Sequence, residues 1–346
     1  MLWELPMNQH RRQLRVHRPD VLGLDEVPRP TPGPRDVLVR VVVCGICGTD
    51  LGYLATGGLR GSGEQPMPLG HELSGVIDSI GDEVEDLRPD MRVVVNPDDD
   101  AIGNGGPEGG FCDTVLVRNA RSGRNIHVLP DSVPFELAAL VEPLSVALHG
   151  VNRAKVKPDS QVVVYGAGMI GLGVIVNLRR RGVRDIVVVD RQDCRLALAR
   201  RMGATATINP DHEDLRTALA KLHGESTKYG FATVNTRIFI DAAGAGSLLQ
   251  RTVEMCAHGA RIVIVAVYRQ PVALDLLMVM AKEIELAGSI AYPDNEFQEV
   301  LDMLAAQEVD VGPLITHRFP FSQASDAFTQ ARNVNEAIKV MVNISA

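Results

Sequence analysis

The sequence predicts an α/β protein in two parts, a β-rich domain interrupted by a second domain on a doubly wound parallel sheet. Three observations predict it. The chain has 346 residues, 45% of them hydrophobic, which is more than one compact core ordinarily holds. The stretch up to about Asp131 carries short β-branched runs bounded by Gly, Pro and Asp, whereas the stretch from Ser160 alternates strands with apolar helices. The mixed style then returns near the C-terminus. The reading places one discontinuous domain at 1–144 and 289–346, and the inserted domain at 145–288.

In chain order, "DVLVRVVVCG", "SGVIDSIG", "MRVVVNP" and "CDTVLVRN" are the strands of the first part. "SQVVVYGAGMIGLGVIVNLRRRGVRDIVVVD" then reads as strand, glycine turn, apolar helix, strand. "CRLALARRMGA" is a helix ending at Gly203, and "TATIN" a short strand. "TRIFIDAAG" and "ARIVIVAV" are buried-type strands with helical segments between them. "NEFQEVLDMLAAQEVD" is a helix, and "IKVMVNI" closes the chain as a strand.

Composition narrows the function classes. The net charge of −8 opposes a nucleic-acid surface, which needs a basic face. The longest apolar runs, such as that around Ile262 to Val267, are too short to span a bilayer. The first twenty residues mix charge into their apolar positions and lack the core of a signal peptide. Five cysteines, Cys44, Cys47, Cys112, Cys194 and Cys256, form an odd, sparse set that fits a reducing cytoplasm better than a disulfide framework.

"VVVYGAGMIGLG" sets G-x-G-x-x-G at Gly166, Gly168 and Gly171, after a strand, at the opening of a helix, with Asp190 ending the next strand. In that context it is a dinucleotide fingerprint. Gly166 permits the tight turn, and Gly171 lets helix and sheet pack closely. Gly168, with Met169 and Ile170, opens the helix N-terminus to a pyrophosphate. Asp190 can accept both ribose hydroxyls of NAD and repels a 2′-phosphate, so NAD is the expected cofactor. Arg191 keeps NADP open, because an arginine there can pair with a 2′-phosphate.

Cys44 and Cys47 form C-x-x-C, which admits a disulfide, a redox couple or a metal site. The ordered motifs "GICGTDL", "GHELSG", "VEPLSVALHG" and "GAGMIGLG" resemble the zinc-dependent medium-chain dehydrogenases, over nearly the whole chain and most closely their polyol branch. The resemblance implies a GroES-like catalytic domain around a Rossmann domain, and hydride transfer between NAD and a secondary alcohol or polyol, or the matching ketone. It implies Cys47 and His71 as zinc ligands and leaves Glu72 and Glu142 both open as the carboxylate ligand. It assigns Asp50 to orienting the histidine and Thr49 to relaying the hydroxyl proton. Cys44 is then a small buried strand residue.

One departure stands out. Many members of this family carry a four-cysteine lobe for a structural zinc between "RVVVNP" and "GGFCDTVLV"; here "DDDAIGNGGPEG" contains no cysteine. One catalytic zinc and no structural zinc are therefore expected. Asp98, Asp99 and Asp100 read as a solvated loop and Cys112 as a strand residue. His149 and His317 read as packed, structural histidines. The resemblance further implies a homodimer or homotetramer joined through "ARIVIVAVYRQ" and "EIELAGSIAY". A zinc-free NADPH reductase on the same fold and a non-catalytic nucleotide-binding protein are the competing readings.

Overall fold

The structure, a computed structural model, describes residues 9–345. It divides into two compact units, Met1–Glu142 with Phe297–Ala346, and Pro143–Glu296. The second boundary thus falls later than position 289, inside a helix.

The first unit opens with strands β1 (His10–Arg18), β2 (Val21–Pro28) and β3 (Val37–Gly45), helix α1 (Gly48–Thr56), and strands β4 (Met67–Pro68), β5 (Glu72–Ile80), β6 (Arg92–Val95), β7 (Thr114–Val117) and β8 (Ile126–Val128). A short helix α2 (Phe135–Ala138) leads to α3 (Val141–Ala154), which carries the chain into the second unit. That unit runs β9 (Gln161–Tyr165), α4 (Met169–Arg180), β10 (Asp185–Val189), α5 (Asp193–Arg201), β11 (Ala206–Ile208) and α6 (Leu215–His223). It continues through β12 (Glu225–Lys228), β13 (Phe231–Val234), β14 (Ile238–Asp241), α7 (Gly246–Met255), β15 (Arg261–Ile264), α8 (Leu276–Ala281) and β16 (Glu285–Gly288). Helix α9 (Asp294–Ala305) returns the chain to the first unit, where β17 (Ile315–Pro320), α10 (Ala324–Ala331) and β18 (Lys339–Asn343) complete it.

In the first unit β17-β18-β3-β5-β6-β8 form one sheet, with β7 pairing β3, and β2-β1-β4 form a second. The central strand β3, "VLVRVVVCG", is almost wholly buried, and its valines meet Leu73, Ile77 and Phe111 in one core. Phe111 packs edge-on against Phe328, ring centroids 5.5 Å apart. In the second unit β11-β10-β9-β14-β15-β16 form a parallel sheet. Its central strands read "VVVY" and "IVVV" because helices cover both faces and leave no polar side to alternate with. A separate hairpin, β12-β13, turns at Tyr229 and Gly230, both with positive φ (53° and 82°), as a tight two-residue hairpin turn requires. The sequence reading placed only helical segments there.

The cysteine-free segment 98–110 corrects the solvated-loop expectation in part. Asp98 and Asp99 are exposed, Asp99 pairs with Arg124 at 2.8 Å, and Asp100 accepts from the Arg118 N–H at 2.8 Å. The segment beyond them is packed inward: Ile102 is 1% exposed, and buried Glu108 holds buried Arg11 at 2.6 and 3.0 Å. Cys112 is buried but precedes β7, joined to Gln13 by an isolated bridge. No helix among the described residues is long and apolar enough to cross a membrane.

Candidate active site

In the first unit Cys47 caps the N-terminus of α1. Its Sγ accepts from the Thr49 N–H at 3.4 Å, and Asp50 reaches back to accept from the Cys47 N–H at 2.9 Å. This capping box sets the sulfur against the positive end of the helix. Asp50 is fully buried and also accepts from the Gly70 N–H at 3.1 Å. One carboxylate thus ties together the two backbone segments that carry Cys47 and His71. Burial pushes the Asp50 carboxyl up, against the downward pull of His71 and the two N–H donors.

His71 stands just before β5, 3% exposed. Its Nδ1 is buried without a hydrogen-bond partner, and the nearest Asp50 oxygen lies at 3.7 Å, beyond hydrogen-bonding reach. Burial disfavours the charged ring, but Asp50, Cys47 and Glu142 outweigh it and hold its pKa well above the ordinary value. Glu72, the first residue of β5, is fully buried. Both its oxygens accept from Lys339 of β18, whose Nζ also donates to the Ile46 carbonyl at 3.0 Å. Gly45 leaves room for this pair, since a Cβ there would lie 2.2 Å from Glu72 Oε2.

Cys47, His71 and Glu72 each offer a ligand atom within 4.8 Å of the others, the one such group among the described residues. A sulfur, a nitrogen and an oxygen donor gathered in this way, from half-buried Cys47 and buried His71 and Glu72, are a set that zinc accepts. Glu142, in the first turn of α3, stands outside this group. It is buried, and desolvation with Glu72 beside it pushes its carboxyl up to about 8 despite the pull of His71 and Lys339. Thr49 is half-buried in the first turn of α1. One turn further, the Tyr53 hydroxyl meets the Asn104 Oδ1 at 3.4 Å. Burial, then the charges of Asp50 and Cys47, raise the Tyr53 phenol.

Cys44 is a buried residue of β3. His317 bonds Thr316 and Gln330. In the second unit His149 bonds Glu296 at 3.1 Å.

The second unit carries the glycine loop between β9 and α4. Gly166 has φ +89°, and a Cβ on Gly171 would lie 1.8 Å from the Gly166 carbonyl oxygen, so turn and helix approach as only glycines allow. Gly168 is the N-cap of α4 and gives it no side-chain cap, which leaves the first-turn N–H groups, Met169 and Ile170 among them, open to an anion. A Cβ on Gly168 would find only the Arg195 Nη1 within 4 Å, at 3.6 Å. The cradle therefore has the empty space and donors a pyrophosphate needs. Asp190 accepts from the Ala167 N–H at 2.7 Å and the Gln192 N–H at 2.8 Å, which fixes its carboxylate at the end of β10. Arg191 is half of an exposed ion pair with Asp211 at 2.9 Å.

Sequence reasoning missed Lys339 and Arg195. A lone lysine in the apolar strand "IKVMVNI" was the available signal for the first; an arginine one turn into the helix after Asp190 was the signal for the second.

Comparison with known proteins bears on these two sites together. Residues 33–130 match the alcohol dehydrogenase GroES-like domain family, and residues 170–306 the zinc-binding dehydrogenase family. Sorbitol dehydrogenase of Pongo abelii is 33% identical over 329 residues, 90% of each chain. An Escherichia coli CFT073 protein described as a short chain alcohol dehydrogenase, solved with its cofactor NADH, superposes with a TM-score of 0.85 at 28% identity, over 97% of this chain and 100% of that one. The 2R,3R-butanediol dehydrogenase of Bacillus subtilis superposes equally, TM-score 0.85 at 25% identity, with the same coverage.

Proposed function

The chain belongs to the zinc-binding alcohol dehydrogenase family with a GroES-like domain, and from that premise we propose that its substrate is a polyol, oxidised at a secondary hydroxyl, with one zinc ion per chain and NAD as hydride acceptor. It is an alcohol or polyol oxidoreductase that works with zinc and a nicotinamide dinucleotide. The observation that carries the proposal is the Cys47–His71–Glu72 group, two of its three members buried.

When bound there, zinc acts as a Lewis acid on the alcohol oxygen, and NAD takes the hydride. Cys47, His71 and Glu72 hold the metal; Glu72 is preferred over Glu142 because it lies within the ligand group and Glu142 does not. Lys339 balances part of the Glu72 charge from behind. Asp50 fixes the two ligand-bearing segments through the Cys47 and Gly70 N–H groups. Thr49 Oγ1 receives the hydroxyl proton. In the second unit the α4 N-terminus takes the pyrophosphate and Asp190 the ribose hydroxyls; Arg191, engaged with Asp211, does not compete for a 2′-phosphate.

The preference for a polyol over a simple alcohol rests on Tyr53 and Asn104, whose phenol and amide are uncharged hydrogen-bonding groups for a second hydroxyl. Assembly is proposed as a homodimer through β16, the last strand of its sheet. Around it Ile290 is 88% exposed and Val267 80%, with Leu276, Leu277 and Met280 on α8 exposed as well, an apolar edge that a second copy covers. Light scattering finding a monomer at micromolar concentration contradicts the dimer. The five free cysteines suit a reducing cytoplasm.

The test is a screen for NAD reduction across polyols, simple secondary alcohols, sugars and amino alcohols, with zinc measured in the same sample. Polyols should turn over faster than matched mono-alcohols, with zinc near one per chain. Turnover with NADPH and no metal supports the zinc-free reductase instead, and no turnover with any substrate supports the non-catalytic reading.

A further inference from the structure

We infer that Gly103 is a positioning residue for the metal centre: through backbone contact with Gly70 it sets where the His71 ring stands. The inference rests on the reading of His71 as a metal ligand. His71 is deeply buried, yet no hydrogen bond holds its Nδ1. The backbone that delivers it therefore has a large share in its placement, beside the Asp50 and Cys47 groups that face the ring.

That backbone is gripped from two sides. Gly70 has φ +95°, and a Cβ on it would lie 2.8 Å from both the Cys44 Sγ and the Phe111 nitrogen. Its carbonyl accepts from the Gly110 N–H at 2.7 Å, and the neighbouring Leu69 carbonyl from the Phe111 N–H at 3.1 Å. On the other side lies Gly103, φ +68°, where a Cβ would stand 2.1 Å from the Gly70 oxygen and 2.3 Å from its carbonyl carbon. Gly109 repeats the approach, 2.4 Å from the Leu69 oxygen. No side chain intervenes in this contact, so none can yield. The loop is itself fixed by Ile102 in the core, by the Glu108–Arg11 pair and by the Gly103 N–H on the Glu108 carbonyl at 2.8 Å. A methyl at 103 must therefore move Gly70, and His71 with it, by about an ångström, whereas metal ligands tolerate only about 0.2 Å.

Gly105 is the internal control. It lies in the same loop, also at positive φ (+103°), but a Cβ there would meet only the tip of the Leu59 side chain, at 2.7 Å.

The experiment compares Gly103→Ala and Gly105→Ala in the full chain. Zinc affinity is measured by chelator competition, with the visible spectrum of the cobalt-substituted proteins, NAD affinity, and the melting temperature of the zinc-free proteins. Gly103→Ala should bind zinc about 10–100-fold more weakly and shift the cobalt spectrum. Gly105→Ala should change neither, and NAD affinity should hold in both. Wild-type zinc affinity in Gly103→Ala, or equal losses in both variants, overturns the inference. If Gly103→Ala does not fold, Ile102→Val loosens the same loop without touching Gly70, and unchanged zinc affinity there overturns it equally. Absence of zinc binding by the wild type would instead overturn the reading of the metal site itself.

Discussion

The proposed metal corner of the first unit is built from side chains, and the proposed dinucleotide cradle of the second from backbone. The proposed cradle lacks Cβ atoms at Gly166, Gly168 and Gly171, which leaves N–H groups and space for a ligand. The corner gathers ionisable side chains from the start of α1, the start of β5 and the start of β18. These groups shift one another: the neighbouring acids and Cys47 raise the His71 ring, and desolvation with Glu72 pushes the Glu142 carboxyl up to about 8. A site made of charges is thus the more sensitive of the two to substitution, and each should be breakable without the other.

The largest expected effect follows from breaking the corner. Cys47→Ser removes the sulfur donor, and loss of several kcal/mol of Lewis-acid stabilisation should lower kcat about 10³-fold. NAD affinity, measured by titration of the same variant, should stay within experimental error of wild type. Loss of NAD binding would show that the two regions are not separable.

A smaller effect follows from the acidic side chain proposed to meet the cofactor's ribose. Asp190→Ala removes a charged acceptor of ribose hydroxyls worth about 1.5–3 kcal/mol, so the preference for NAD over NADP should fall about 10–100-fold, with zinc content unaltered. An unchanged preference in kcat/KM would move cofactor choice to Arg191 or Arg195.

The smallest effect serves as a control away from both regions. Asp214 caps α6 by accepting from the Thr217 N–H at 2.9 Å, and Asp214→Ala should cost about 1 kcal/mol of stability and leave zinc and NAD binding alone. The hydrogen bonds from Thr217 hold the Asp214 carboxyl below its usual range. A carboxyl depressed on folding stabilises above its unfolded pKa of about 4 and loses that contribution as pH falls through the lower folded value. The melting-temperature gap between wild type and variant should therefore be open at pH 7 and close in strong acid. A constant gap would assign the effect to helix propensity alone.

Legibility in the sequence follows the same division. The cradle was readable because its residues are contiguous: one strand, one glycine turn, one helix and an aspartate at the next strand end. The corner was readable only through resemblance, because Cys47, His71 and Glu72 meet through tertiary packing that no local spacing encodes. Lys339 escaped for that reason, being separated from Glu72 by most of the chain and joined to it only by the pairing of β18 with β3 and β3 with β5. The inward packing of 98–110 escaped because three aspartates and five glycines suggest solvent, while Ile102 and Glu108 find their partners on distant strands. The β12-β13 hairpin carried a local signal, a Tyr-Gly turn between polar and alternating runs, but it lies where the βαβ rhythm leads one to expect helix.

The proposed centre is a single zinc held by one sulfur and by nitrogen and oxygen. X-ray absorption at the zinc edge of the purified protein tests it most directly, because the first shell reports ligand type and number together. The predicted spectrum fits one sulfur at about 2.3 Å and the remaining ligands as nitrogen or oxygen at about 2.0–2.2 Å, with elemental zinc near one per chain. A first shell with two or more sulfurs per zinc would contradict the Cys47–His71–Glu72 assignment.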